Sequence, residues 1–175
     1  MIHLLFFIPI IFLILGLTYL VIQWPSGGLH ATFSHHAAST KEATRYYIAL
    51  FLVCLPPVVA WFALWLMPHL RLPVTAFITI AIAVIVQIVA ASIPERPPHV
   101  TLHRGVTAVS LGAILATLIT IWYETRSNMI ITALMIMALI IIYAGIMGDR
   151  AKYPLLLQTG FYSIFFITLG SFIFQ

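Results

Sequence analysis

The sequence predicts an all-α, polytopic membrane protein, a six-transmembrane-helix bundle forming a single integral membrane domain over residues 1–175. Six apolar blocks carry that prediction, each of the roughly twenty residues a helix needs to cross a hydrocarbon core about 30 Å thick. Nearly all the charge is confined to the short connections between them. Of the 175 residues, 63% are hydrophobic and 7% charged, and the mean hydropathy is +1.14. A soluble domain of this length has too small an interior to hide so much apolar surface. In lipid the backbone must satisfy its own hydrogen bonds, and the blocks lack the period-two alternation of a lipid-spanning barrel, so each is expected to be a helix.

The first span covers residues 4–22. The segment before it has no Lys or Arg, and its apolar run is longer than a signal peptide usually needs, so it is expected to stay as a mature helix. Pro9 falls in its first turns, where freed backbone groups lie near the interface. The second span, residues 46–66, contains Pro56-Pro57, which removes two amide donors and is expected to kink the helix. Its lone cysteine, Cys54, excludes an intrachain disulfide and reads as small core filler. The third span, residues 74–93, carries Gln87 with Ala83 and Ala91 four residues to either side, a small-residue face expected to turn that amide toward another helix. The fourth, residues 100–123, has Ala108, Gly112 and Ala116 at the same spacing and predicts a close helix-packing seam. The fifth and sixth are residues 129–147 and 155–174.

The longest loop, residues 23–45, contains Pro25, Gly27 and Gly28 before His35-His36. Residues 30–38 read as a short interfacial helix or re-entrant segment, and Ser39 with Glu42 has capping-box spacing at the start of the second span. There is no convincing repeat, low-complexity tract or heptad pattern.

Basic residues set the expected orientation. Lys41, Arg45, Arg96, Arg104, Arg150 and Lys152 accompany the odd-numbered loops, whereas only Arg71 and Arg126 lie on the other face. The positive-inside rule then makes the odd loops cytoplasmic in a plasma (inner) membrane, with both termini extracytoplasmic. The formal charge of +4 reads as topology and a handle for anionic lipid. It gives no support for nucleic acid as a partner, because no folded basic surface carries it.

Polar residues are unevenly distributed in depth. Tyr19, Gln23, Gln87, Thr107, Ser110, Tyr143, Gln158 and Tyr162 fall in the half nearer the odd loops, while the other half offers mainly Ser and Thr, which return hydrogen bonds to their own helix. The asymmetry predicts a polar cavity open to the cytoplasmic leaflet that accepts a lipid headgroup or small amphiphile. Gln87, Ser110, Arg104, Arg150, Gln158 and Tyr162 are its candidate ligand-binding residues.

Between the third and fourth spans, residues 93–104 read IPERPPHVTLHR. Pro97 and Pro98 end one helix and preset the next. His99 and His103 are four apart, the spacing with which two imidazoles can share a metal. Glu95, Asp149, His35 and His36 lie on the same side, which holds five of the seven histidines and three of the four carboxylates. The residues leave three readings open: a zinc-type divalent metal site, a headgroup or proton-linked polar site, and simple interfacial capping. No cofactor is the preferred expectation. No span contains a lysine for a retinal Schiff base or a central carboxylate for a proton pump, and the chain has no phosphate loop, nucleophile elbow or HExxH motif.

Six helices in this length, the Pro94-Glu95 segment leading to His99 and His103, and Gly148-Asp149-Arg150 before the last helix resemble the Frag/DRAM/Sfk-type six-helix membrane proteins and their bacterial relatives. The resemblance implies a role in lipid remodelling or membrane homeostasis, with Glu95, His103 and Arg150 as the polar positions carried over. This chain has Glu95 where the family often has aspartate, and the His35-His36 pair is unusual for it. The preferred expectation is a non-enzymatic protein that handles lipid, with membrane lipids as its partners. One alternative is a membrane-embedded hydrolase or lipid-modifying enzyme with Glu95, His99, His103 and Asp149 as catalytic residues. The other is an accessory or scaffold subunit that docks on a membrane-protein partner or forms a homo-oligomer.

Overall fold

The structure, a computed structural model, describes residues 1–174, with the side chain of Asp149 outside the described residues. Six helices are long and apolar enough to cross a membrane. In chain order the helices are α1 (Leu4–Gln23), the short α2 (Phe33–Ala37), α3 (Lys41–Leu70), α4 (Val74–Ser92), α5 (Val100–Thr125), α6 (Asn128–Met147) and α7 (Pro154–Phe174). No strand occurs among the described residues. The protein is therefore a multi-pass, all-helical membrane protein, and its spans lie within a few residues of the apolar blocks.

One local detail differs from the sequence expectation. Thr40, not Ser39, caps α3 by accepting from the Ala43 N–H at 3.0 Å, while Ser39 donates backward to His36 O at 2.7 Å. The chain also stays helical through Pro56 and Pro57, and a wide π turn over Phe62–Leu66 follows. Such a turn takes up ladder irregularity without ending the helix. Trp61, Trp65 and His69 stack in succession along it.

The helices pack as an arc, with α1 on α3, α3 on α4, α4 on α5, α5 on α6 and α6 on α7. The closest pair is α4 and α5. There the small face of α4 admits Ser110 Oγ to Ala83 O at 3.0 Å, and Thr117 donates to Thr79 Oγ1 at 2.9 Å. The expected seam of Ala108, Gly112 and Ala116 is not the packed one. Ala108 and Gly112 are exposed, and a Cβ on Gly112 would meet nothing within 4 Å, because α5 turns its other face to α4.

Glycine is needed where α1 crosses α3. A Cβ on Gly16 would overlap Leu50 Cδ1, and Tyr46 donates its hydroxyl to Gly16 O at 3.1 Å. Two apolar clusters result. One is built around Trp61, Phe62, Leu118 and Phe165, the other around Leu20, Tyr47, Phe51 and Cys54. The ends of the arc, α1 and α7, meet where Phe6 lies against Gly170, on which a Cβ would sit 2.9 Å from the Phe6 ring. From that point the two helices form facing walls of a cavity.

Candidate functional site: a polar latch beside a lateral cavity

Loops one, three and five gather at one end of the bundle, hereafter the basic end. His36 is fully buried and fixes the first loop. Its Nδ1 accepts the Ser26 N–H at 3.0 Å and its Nε2 lies 3.2 Å from Gly28 O. His30 bonds Lys152 O at 2.7 Å and stacks on Tyr153, tying the first loop to the fifth.

The first and third loops join through Glu95, a carboxylate only 7% exposed. Thr32 donates its hydroxyl to Glu95 Oε2 at 2.6 Å, and Ser34 donates to the same oxygen. His35 Nδ1 lies 3.2 Å from Oε2 and 2.8 Å from Thr32 Oγ1. Since the Thr32 proton goes to the carboxylate, His35 is the donor in that second contact. Arg104 Nε approaches Oε1 at 3.7 Å and His103 Nε2 approaches Oε2 at 3.8 Å. His103 is oriented by its Nδ1–H, which donates to Ile93 O at 2.7 Å. Burial alone would raise the Glu95 pKa. The bonds from His35, Ser34 and Thr32 and the charge of His35 outweigh it and lower the pKa from 4.5 to about 2.

The other candidates of this end do not all converge. His99 is exposed at the start of α5 while His103 is buried, so their four-residue spacing does not make them a pair. Arg150 is exposed, and the side chain of Asp149 lies outside the described residues. Among the described residues no three His, Cys, Asp or Glu side chains are arranged to hold a metal ion.

Beside this latch lies the cavity, about 720 Å³ in volume. It is walled by α1 and α7, with α3, α4 and α5 behind, and among the described residues no charged side chain lines it. Of the expected ligand-binding residues, Gln87, Ser110, Gln158 and Tyr162 line it, whereas Arg104 and Arg150 do not. Gln87 accepts from Tyr162 at 2.8 Å and from Ser110 at 3.2 Å. These contacts tie α4 to α7 and α5. Gln158 accepts the Phe33 N–H at 3.1 Å.

Sequence reasoning passed over three members of this arrangement: Thr32, Ser34 and Tyr47. The first two had a legible signal, a Thr that caps a short helix and a Ser two residues on. Tyr47 had none, since an aromatic residue in a span reads as core. Comparisons with family models, curated proteins and solved structures find no match to this chain.

Proposed function

We propose that this protein binds a membrane lipid or other small amphiphile in the cavity between α1 and α7. The supporting observation is a volume of about 720 Å³, within the range of ligand pockets, lined by hydrocarbon and aromatic groups and interrupted by Gln87, Ser110, Gln158 and Tyr162. Polar side chains within a bundle are costly unless they pair or serve a ligand. Here Gln87, Ser110, Gln158 and Tyr162, from α4, α5 and α7, all line one cavity.

The enzymatic alternative is less favoured by the geometry. A general base needs a free lone pair and a pKa near the working pH, whereas Glu95 Oε2 is occupied by Thr32, Ser34 and His35. In this reading Glu95, Arg104, His103 and the first loop form a structural latch that closes the basic end over the cavity. The six-to-two bias of basic residues supports placing that end in the cytoplasm of a cell with a plasma (inner) membrane.

Native mass spectrometry of the protein extracted in mild detergent tests the reading. The wild type is expected to carry a bound lipid-sized mass, and Val84→Trp, which fills the cavity from α4, is expected to lose it. A wild type that carries none after extraction in several mild detergents would defeat the proposal.

A further inference from the structure

We infer that the cavity is built for an uncharged, single-chain lipid whose polar end carries carbonyl oxygens, and that an isoprenoid quinone is the class that fits. The inference rests on the lipid-binding reading above and narrows it.

The charge of the ligand follows from the lining. Phospholipid and fatty-acid heads are anionic or zwitterionic and call for a cation or a helix terminus. The eight Lys and Arg of the chain all lie outside this lining. Arg104 is engaged with Glu95 at 3.7 Å.

The polarity of the ligand follows from two donors. Tyr47 is 2% exposed and lines the cavity, yet its hydroxyl has no hydrogen bond to the described residues. Among the described residues every fully enclosed side-chain N or O atom has a partner, so the Tyr47 hydroxyl reaches open space, and Tyr47 lines both this cavity and a small cleft beside Ser34 and Pro94. A buried hydroxyl without a partner is costly, and a ligand atom in the cavity removes that cost. Gln158 adds a second donor. The Phe33 N–H fixes its Oε1 as acceptor, so Nε2 donates, one N–H toward the Tyr162 hydroxyl and the second remaining for a ligand. An O–H on α3 and an N–H on α7 ask for acceptor oxygens, and neutral carbonyls supply them.

Shape selects among neutral carbonyl lipids. The lining on α1 runs from Phe6 to Ile22, about 24 Å at 1.5 Å per residue, longer than one leaflet of a core roughly 30 Å thick. The volume suits one chain and one head. Phe33, Phe51 and Tyr162 line the same cavity as the donors, and aromatic walls favour a flat ring over a glycerol ester.

The test uses the full chain in detergent, incubated with ubiquinone bearing a short isoprenoid tail or with dioleoylglycerol, repurified, and extracted for quantification by chromatography. The expected result is about one ubiquinone per chain. Tyr47→Phe should weaken quinone affinity about three- to tenfold, the range of one neutral hydrogen bond, without lowering thermal stability, because the hydroxyl bonds nothing in the protein. Quinone bound equally well by Tyr47→Phe would overturn the assignment of that donor. Retention of dioleoylglycerol or phospholipid with exclusion of ubiquinone would overturn the quinone class and leave the lipid-binding reading standing. Failure to hold any lipid would remove both.

Discussion

Phe33 donates its backbone N–H to Gln158 Oε1 at 3.1 Å, so the residue between Thr32 and Ser34, the two hydroxyls that hold Glu95, also holds an amide of the cavity wall. Latch and cavity thus share three consecutive residues. A disturbance of the Glu95 cluster reaches α7 through one peptide unit, and several consequences of this arrangement are measurable.

Acid should loosen the basic end through Glu95. Its folded-state pKa is depressed from 4.5 to about 2, so its contribution is fully present above about pH 4.5 and is lost as pH falls toward 2. A shift of that size corresponds to at most about 3 to 4 kcal/mol. Melting curves of the purified protein between pH 5 and 2 should fall for the wild type. Glu95→Gln should start lower and stay flatter across that window, and equal slopes would refute the assignment.

Gln87→Leu should destabilise the bundle by about 0.6 to 2 kcal/mol, the range measured for side-chain hydrogen bonds between membrane helices. The substitution deprives Tyr162 and Ser110 of their common acceptor. Denaturant unfolding in mixed micelles reads the effect. Combined with Tyr162→Phe, the loss should be smaller than the sum of the two single losses, because both act on one bond.

Two glycines should answer differently to the same change. Gly16→Val places side-chain atoms where Leu50 and Tyr46 already lie and should cost about 1 to 3 kcal/mol through overpacking. Gly112→Val adds atoms to open space and should stay within about 0.5 kcal/mol. Comparable losses at both sites would show that the exposed face of α5 is covered by a partner chain.

Orientation is open to direct labelling. In a Cys54→Ala background, Ser39→Cys on the basic end should resist an impermeant thiol reagent in intact cells, while Asn128→Cys on the opposite end should react. The inverse pattern would place the Glu95 latch outside the cell.

The spans were legible because lipid imposes a contiguous demand: every residue of a crossing must tolerate hydrocarbon, so the boundaries stand out as composition. Gln87 was legible for a related reason, since its amide had to turn inward and its alanines showed which face could approach a neighbour. Rotation was not legible for α5. Ala108 and Gly112 permit close packing without requiring it, and the hydroxyls of Ser110 and Thr117 choose the opposite face for α4. His99 and His103 failed as a pair because helical spacing fixes direction, not depth. His103 is drawn under Ile93 O, whereas His99, four residues nearer the loop, is already in the open. The cap of α3 shows how fine such a choice is. Ser39 and Thr40 are both competent, and the carbonyl of His36 takes the serine.

The His36 clamp gives the first loop an unusual chemical indifference. Small extramembrane segments are commonly stapled by disulfides, whose persistence depends on the oxidant around them. Here the staple is one buried imidazole holding the Ser26 N–H and facing Gly28 O, in a chain whose single cysteine lies within α3. The loop is therefore as well ordered in a reducing compartment as in an oxidising one, and thiol reductants leave it intact.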